Sequence, residues 1–179
     1  MIHEPIAVLP VVPAERFILR PLRKSDAGLI ALYAADERVA RGTRTIPHPL
    51  PPGTTEAFIA RAMSDGRDSD IWALDGSAQG LGEVLGIVTL TPVRADQSEV
   101  SYWVAPGFLN TGFASEAVMA LVAANPHRSK SLVAEVFQDN AASARVLTNA
   151  GFAYLGDAEA WSVARGAKVA TWTYLRKMG

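Results

Sequence analysis

Residues 98–124 read SEVSYWVAPGFLNTGFASEAVMALVAA and predict a strand, a loop and a helix in succession. Residues 99–104 alternate between two sets of side chains and are rich in β-branched and aromatic types, which is typical of a strand. Pro106 and Gly107 end that strand. From Phe113 onward the residues are small or apolar almost all round, which predicts a helix that is buried on every side.

The loop between the predicted strand and helix has the properties of an anion site. The first N–H groups of a helix have no acceptor within it and lie at the positive end of the helix dipole, where they favour phosphate. Gly112 and Ala114 are small enough for a ligand to reach the backbone. No Lys or Arg lies between Ser98 and Ala124. The sequence therefore predicts that backbone donors bind any anion held there.

A tightly packed strand, turn and helix without a ligand is the simpler interpretation of this stretch taken alone. The dinucleotide pattern G-x-G-x-x-G is absent, and so is a nucleotide-hydrolase loop that ends in Gly-Lys-Ser/Thr. A second stretch, residues 139–152, changes that balance. It reads DNAASARVLTNAGF and predicts a helix capped by Asn140, with Gly151 at the left-handed position that follows a helix.

Together the two stretches resemble the GNAT N-acetyltransferase superfamily and, within it, the RimJ/RimL-like branch. The first family motif is matched by Ser101-Tyr102-Trp103, Pro106 and Asn110-Thr111-Gly112-Phe113-Ala114-Ser115-Glu116-Ala117. The second is matched by Asn140, Ser143, Val146-Leu147 and Gly151-Phe152. Two segments in this order and at this spacing are more specific than either one alone.

The resemblance implies an α/β (α+β) fold. Its mixed, mostly antiparallel central sheet would have about seven strands with a central parallel, splayed pair, flanked by about four helices. We expect one domain over residues 1–179, in which residues 1–13 form an extended N-terminal arm. The remaining pattern predicts strands at 16–21, 70–74, 83–93, 131–137, 152–164 and 168–176, helices at 25–35 and from residue 54 or 55, and an irregular segment at 38–53.

Short connections make an antiparallel meander of the strands that lead up to residue 104. The strand–helix–strand connection from there to residue 131 predicts a right-handed crossover, which makes the strands on either side of the helix parallel.

Composition narrows the class of protein. The 179 residues are 49% hydrophobic and 20% charged, which is a globular balance, and the net charge of −1 argues against nucleic acid or an anionic membrane as a partner. The chain has no cysteine, and its histidines (His3, His48 and His127) lie far apart, so the sequence predicts no disulfide and no metal site. We expect a cytoplasmic protein because the sequence has neither a signal peptide nor an apolar run long enough to span a membrane.

The implied activity is an acetyl-CoA-dependent N-acetyltransferase without a metal. An acetyl group would pass by direct attack, in a ternary complex, to a primary amine on a protein N-terminus or a small molecule. The alternative is a non-catalytic acyl-CoA-binding or sensor module, which Leu109 and Asn110 favour because the family signature has Gln or Arg and Gly at these positions. Monomer and homodimer are both open.

The resemblance also implies roles for individual residues. Ser143 would lie near the coenzyme sulfur, and Glu99 would handle the amine proton; these are the candidate catalytic residues. Tyr102 and His48 would border the acceptor, although packing for Tyr102 and an exposed loop position for His48 are simpler roles. For the other candidates the simpler alternatives are that Asn140 and Ser143 only cap the helix, and that Glu99 is an exposed carboxylate on a strand. The candidate coenzyme-binding residues are Trp103, Val104, Leu109, Asn110, Thr111, Gly112, Phe113, Ala114, Asn140 and Ser143.

Overall fold

A single sheet with the strand order β1-β2-β3-β4-β5-β6-β8-β7 forms the centre of the structure, a computed structural model that describes residues 8–179. The strands are β1 (Val12–Pro13), β2 (Ile18–Pro21), β3 (Asp70–Asp75), β4 (Gly86–Arg94), β5 (Gln97–Val104), β6 (Ser131–Phe137), β7 (Ala153–Ser162) and β8 (Ala167–Lys177). All neighbours are antiparallel except β5 and β6, which are parallel. The predicted meander and the predicted parallel pair are both confirmed.

The sheet has one strand more than the expected seven. The first seven residues of the predicted arm lie outside the described residues, whereas Val12–Pro13 pair with β2. Val12 belongs to the buried core, and the carbonyl of Pro10 accepts a hydrogen bond from Trp72 Nε1 at 2.9 Å. The end of the arm is therefore part of the sheet.

Five helices flank the sheet: α1 (Ala27–Ala34), α2 (Glu37–Gly42), α3 (Thr54–Ala62), α4 (Phe113–Ala124) and α5 (Ala141–Asn149). The expectation of about four helices misses α2, which lies where the sequence predicts irregular structure. The Asp36 side chain caps this six-residue helix by accepting from the Arg38 N–H at 2.9 Å. Burial of Val39 and Ala40 then stabilises a helix that is too short to persist alone.

Successive side chains along each strand point to opposite faces of the sheet, and each face has its own hydrophobic core. Trp72 and Leu74 pack with α4 and α5, whereas Ile71 and Ala73, on the opposite face of β3, pack with α1 and α3. The prediction that α4 is buried on every side is wrong, because the Met119 side chain is 50% exposed. Only one stripe of α4 contacts the sheet, and its outer surface faces solvent.

A buried polar chain fixes the end of the sheet where β5 and β6 begin. His127 Nδ1 lies 2.7 Å from Ser98 Oγ, and His127 Nε2 lies 2.6 Å from Asp70 Oδ2. Arg67 Nε donates to the other oxygen of Asp70 at 2.7 Å. Because Ser98 is on β5 and Asp70 starts β3, these contacts tie the segment before β6 to two strands that lie ahead of it in the chain.

The second motif folds as predicted. The Asn140 side chain accepts from the Ser143 N–H at 3.2 Å and so caps α5, and Gly151 has the left-handed φ of 84°. β7 and β8 form the last hairpin, with Gly166 at its turn. Within residues 8–179, none of the helices has the length and apolar character to cross a membrane.

Candidate active site

Strands β5 and β6 run together for only three residue pairs. The last of these pairs joins Glu99 to Val133. Beyond it, β5 continues to Val104 and β6 to Phe137, and within residues 8–179 the two strands do not pair with each other again. The other edge of β5 stays paired with β4 as far as Val104. Residues 100–104 therefore present one free backbone edge, whose N–H and C=O groups need partners. We call the space between residues 100–104 and 134–137 the β5/β6 opening.

Two cavities meet at this opening. The first, of about 390 Å³, lies between the loop before α4 and the start of α5, and we call it the cradle cavity. The second, of about 230 Å³, lies beneath the loop at residues 43–50, which we call the roof loop, and we call this space the roofed cavity. The residues common to both walls are Gly42, Tyr102, Trp103 and Ser143. A group held at these residues is accessible from both sides.

The N-terminus of α4 forms one wall of the cradle cavity. Asn110 and Gly112 have left-handed φ values of 60° and 81°, and this backbone turns the following amides toward the cavity. The Phe113 N–H donates weakly to Thr111 Oγ1 at 3.4 Å, and the amides of Ala114 and Ser115 have no acceptor among residues 8–179. These are the free donors that the sequence predicts for an anion.

Arginines from distant parts of the chain lie near the start of α4 or line the cradle cavity. Arg16 Nε binds Glu116 Oε1 at 2.7 Å, and its guanidinium lies 4.5 Å from the centre of the Phe113 ring. Arg38 and Arg145 belong to the cavity lining. The sequence predicts an anion site made mainly of backbone donors, and these arginines lie outside the stretch on which that prediction rests. Helical spacing could have revealed Arg145, because it shares one face of α5 with the lining residues Ala142, Val146 and Asn149.

Tyr102 on β5 and Ser143 on α5 are joined across the opening by two hydrogen bonds. Ser143 Oγ donates to the Tyr102 phenol oxygen at 2.9 Å, and the phenol donates to the Ser143 carbonyl at 2.9 Å. Burial raises the pKa of Tyr102 well above its ordinary value, and the hydrogen bond from Ser143 only partly offsets this. The phenol therefore keeps its proton throughout the neutral range.

A charged cluster joins the strands just where their ladder ends. Arg44, from the loop after α2, donates from Nη2 to Glu99 Oε1 at 2.5 Å and from Nη1 to Glu135 Oε1 at 3.0 Å. Thr171 Oγ1 donates to the other oxygen of Glu135 at 2.8 Å. Glu99 is on β5 and Glu135 on β6, so one guanidinium bridges the two strands. Arg44, Glu135 and Thr171 line the roofed cavity, whereas Glu99 is not part of its lining.

All the residues predicted to bind the coenzyme line the cradle cavity, from Trp103 to Ser143. Leu109, which replaces the polar residue of the family signature, is 51% exposed there. Tyr102 lines both cavities. His48 is exposed on the roof loop and does not line the cavity, whereas Pro47 and Leu50 beside it do. Sequence reasoning missed Arg44 and Glu135, since no local pattern connects them.

The sequence of the chain matches a known protein family. A sequence model of the acetyltransferase (GNAT) domain matches residues 16–153. The chain belongs to the GNAT acetyltransferase family. No curated protein sequence gives a significant match to this GNAT protein.

Solved structures of similar fold cover nearly the whole of this GNAT chain. A GNAT-family acetyltransferase from Bacillus anthracis has a TM-score of 0.78 at 18% identity and covers 94% of this chain and 99% of its own. A RimL ribosomal-protein α-N-acetyltransferase in complex with coenzyme A has a TM-score of 0.79 at 15% identity, with coverage of 94% and 98%. Spermidine N-acetyltransferase from Vibrio cholerae, in complex with CoA and spermine, has a TM-score of 0.76 at 14% identity, with coverage of 91% and 96%. At these identities the likeness extends to the fold.

Proposed function

We propose that this GNAT protein is an acetyl-CoA-dependent N-acetyltransferase of the RimJ/RimL-like branch that acetylates a primary amine. The observation that carries the proposal is the meeting of two separate cavities at the β5/β6 opening, with Tyr102, Trp103 and Ser143 on both walls. A transferase needs such an arrangement, because two substrates have to reach one point from different sides. The coenzyme complexes of the RimL and spermidine acetyltransferase structures support the choice of acyl donor.

The residues of the cradle cavity fit a coenzyme diphosphate. A Cβ at Gly112 would lie 3.3 Å from Arg16 Nη2, so glycine keeps the approach to the loop amides clear. The free N–H groups of Ala114 and Ser115 would bind phosphate oxygens, and Arg16, Arg38 and Arg145 would add positive charge. Asn110, Thr111 and Phe113 would complete the loop around the diphosphate. Trp103 and Val104 would offer the free edge of β5 to the amide groups of the pantetheine arm, and Asn140 would lie beside it.

Acetyl-CoA would supply an acetyl thioester. The amine nitrogen bonds to the acetyl carbon while the carbon–sulfur bond breaks. Of the three ammonium protons, one stays on the amide, one ends on the coenzyme thiol and one is released. In our proposal, Glu99 takes part in removing protons from the amine, since an ammonium group cannot attack. Rotation of the Ser143 hydroxyl toward the cleft would aim its hydrogen at the departing sulfur, with Tyr102 keeping Ser143 in place.

Measurement of thiol release from acetyl-CoA, with a panel of primary amines, tests the proposal. Calorimetry with CoA runs in parallel. Turnover of an amine together with CoA binding is the expected result. Binding without turnover on any amine would favour the sensor alternative, to which the exposed Leu109 points, and absence of CoA binding would overturn both.

A further inference from the structure

Hydrogen bonds to the β7–β8 hairpin hold the loop that covers the roofed cavity. The Val163 N–H, next to the β7–β8 hairpin turn, donates to the Arg44 carbonyl at 3.1 Å, and Arg165 Nη2 donates to the Arg41 carbonyl at 2.9 Å. Arg165 is in turn paired with Asp139 and stacked 4.8 Å from the centre of the Phe137 ring. The loop over the cavity is therefore fastened to the hairpin on its outer side, and the space beneath it is bounded.

Apolar and polar residues line this cavity in similar numbers. Side chains from α1, α3, the roof loop and the sheet supply hydrocarbon surface: Ile30, Ala34, Ile46, Leu50, Phe58, Ile87 and Val100. Its volume of about 230 Å³ is below the range of roughly 300–1,000 Å³ that is usual for ligand sites. Such a space suits a small molecule with a hydrocarbon body better than several residues of a peptide.

The polar end of the cavity, next to the β5/β6 opening, has a surplus of negative charge. Two carboxylates, Glu99 and Glu135, share the single guanidinium of Arg44. Each terminal nitrogen of Arg44 gives one N–H to these carboxylates, so the positive charge of Arg44 is compensated within the cluster. The remaining charged group of the lining, Arg61, is exposed on α3. Among the described residues that line the cavity, Glu135 is the one carboxylate, and it lies beside Arg44.

Resting on the function proposed above, we propose that the acceptor is a small primary amine that is apolar apart from its ammonium group, and that Glu135 binds this ammonium. The Glu135 side chain is 14% exposed, so a cation there is largely shielded from water and the ion pair is strong. Arg44 is a positioning residue, because it holds the carboxylate at the opening. A carboxylate or phosphate beside the acceptor's amine would be repelled by Glu135 and Glu99.

Steady-state kinetics with an acceptor panel, on the wild-type protein and on Glu135→Gln, tests this inference. The panel contains phenethylamine, pentylamine, spermidine, glutamate and a short peptide with a free N-terminus. Wild type should prefer the two apolar amines by about tenfold or more in kcat/KM. Glu135→Gln should raise KM for them by about 10- to 100-fold, which is the effect of losing one charge-assisted bond, and should leave KM for acetyl-CoA unchanged. Glu159→Gln, on the exposed surface of β7, is the matched control and should behave as wild type.

Glu135→Asp keeps the charge beside Arg44 and guards against a Gln variant that fails to fold. It should raise the amine KM by less than the Gln substitution does, while CoA binding by calorimetry stays normal. An unchanged amine KM in both variants, or a wild-type preference for glutamate or the peptide, overturns the inference and leaves the acetyltransferase proposal intact. A wild-type protein that acetylates none of the amines overturns the proposed function and this inference with it.

Discussion

The phenol oxygen of Tyr102 lies 2.9 Å from Ser143 Oγ and so links the free edge of β5 to the first turn of α5. Tyr102 and Ser143 each line both cavities. Under the proposed function, we therefore expect removal of either hydroxyl to affect the transfer step more than binding of the coenzyme or the amine.

Ser143→Ala should lower kcat about a hundredfold, because it removes the donor that we propose for the departing thiolate. Tyr102→Phe should lower it to a similar extent, since Ser143 then loses the partner that orients it. If the two residues act as one unit, the double variant should be no slower than the slower single variant. Steady-state kinetics on the three variants measures this coupling.

Thr148→Ala is the matched control for Ser143→Ala. Thr148 lies on the same helix, donates to the Ala144 carbonyl at 3.0 Å and lines neither cavity. Its loss should leave kcat at the wild-type value. A Ser143→Ala enzyme with wild-type kcat would show that the serine only supports the helix.

Gly112→Ala should weaken CoA binding by about tenfold in Kd. The left-handed φ of 81° costs a residue with a Cβ about 1–2 kcal/mol, and the new methyl group would crowd Arg16 at the loop amides. Gly166→Ala introduces the same kind of strain at φ 62°, in a hairpin turn with no atom within 4 Å of the new Cβ. Calorimetry should show a Kd change for Gly112→Ala alone; equal changes in both variants would assign the effect to strain.

Arg145→Gln should raise Kd for CoA by about tenfold at low salt, because the side chain has no ion-pair partner in residues 8–179 and faces the cradle cavity. The difference from wild type should shrink as salt screens the charge. Arg94→Gln, at the far end of β4, removes the same charge away from the cavity and should leave Kd unaltered. A salt-independent difference would point to packing instead of phosphate binding.

Asp70→Asn should lower the free energy of unfolding by about 1–3 kcal/mol at pH 7. Burial opposes ionisation of Asp70, but its bonds to His127 and Arg67 outweigh this and hold the pKa of the carboxyl below its ordinary value. A depressed folded-state pKa stabilises the fold above the unfolded pKa of about 3.9 and loses that effect as pH falls through the folded value.

The difference between wild type and Asp70→Asn should therefore be full at pH 7 and narrow below about pH 4. Urea unfolding over a pH series measures it, with Asp65→Asn, an exposed acid, as the control. A difference that stays constant down to pH 3 would show that the Asp70 carboxylate adds no charge-dependent stability.

The sequence was sufficient for the parts of the fold that have strong local signals. Alternation predicted β6, capping predicted α5, and the motif around Gly112 predicted a loop whose residues all line one cavity. In α2 only Val39 and Ala40 are buried within six residues, and that is too few for a helical period to emerge.

The charged cluster at the opening could not be predicted from local patterns in the sequence. Arg44 and Glu99 are 55 positions apart, and Arg44 and Glu135 are 91 apart. They meet because the roof loop crosses both strands, which depends on tertiary packing. Glu99 could be selected from its strand, but its partner and the second carboxylate could not.

The hydrogen bond from the Val163 N–H to the Arg44 carbonyl joins the roof loop to the β7–β8 hairpin, so the two segments form one structural unit. The roof loop lines the roofed cavity, which we propose as the acceptor side, while α4 and α5 contribute residues to the cradle cavity. Grafting residues 43–50 together with 162–166 from a relative should hence transplant amine preference in one step.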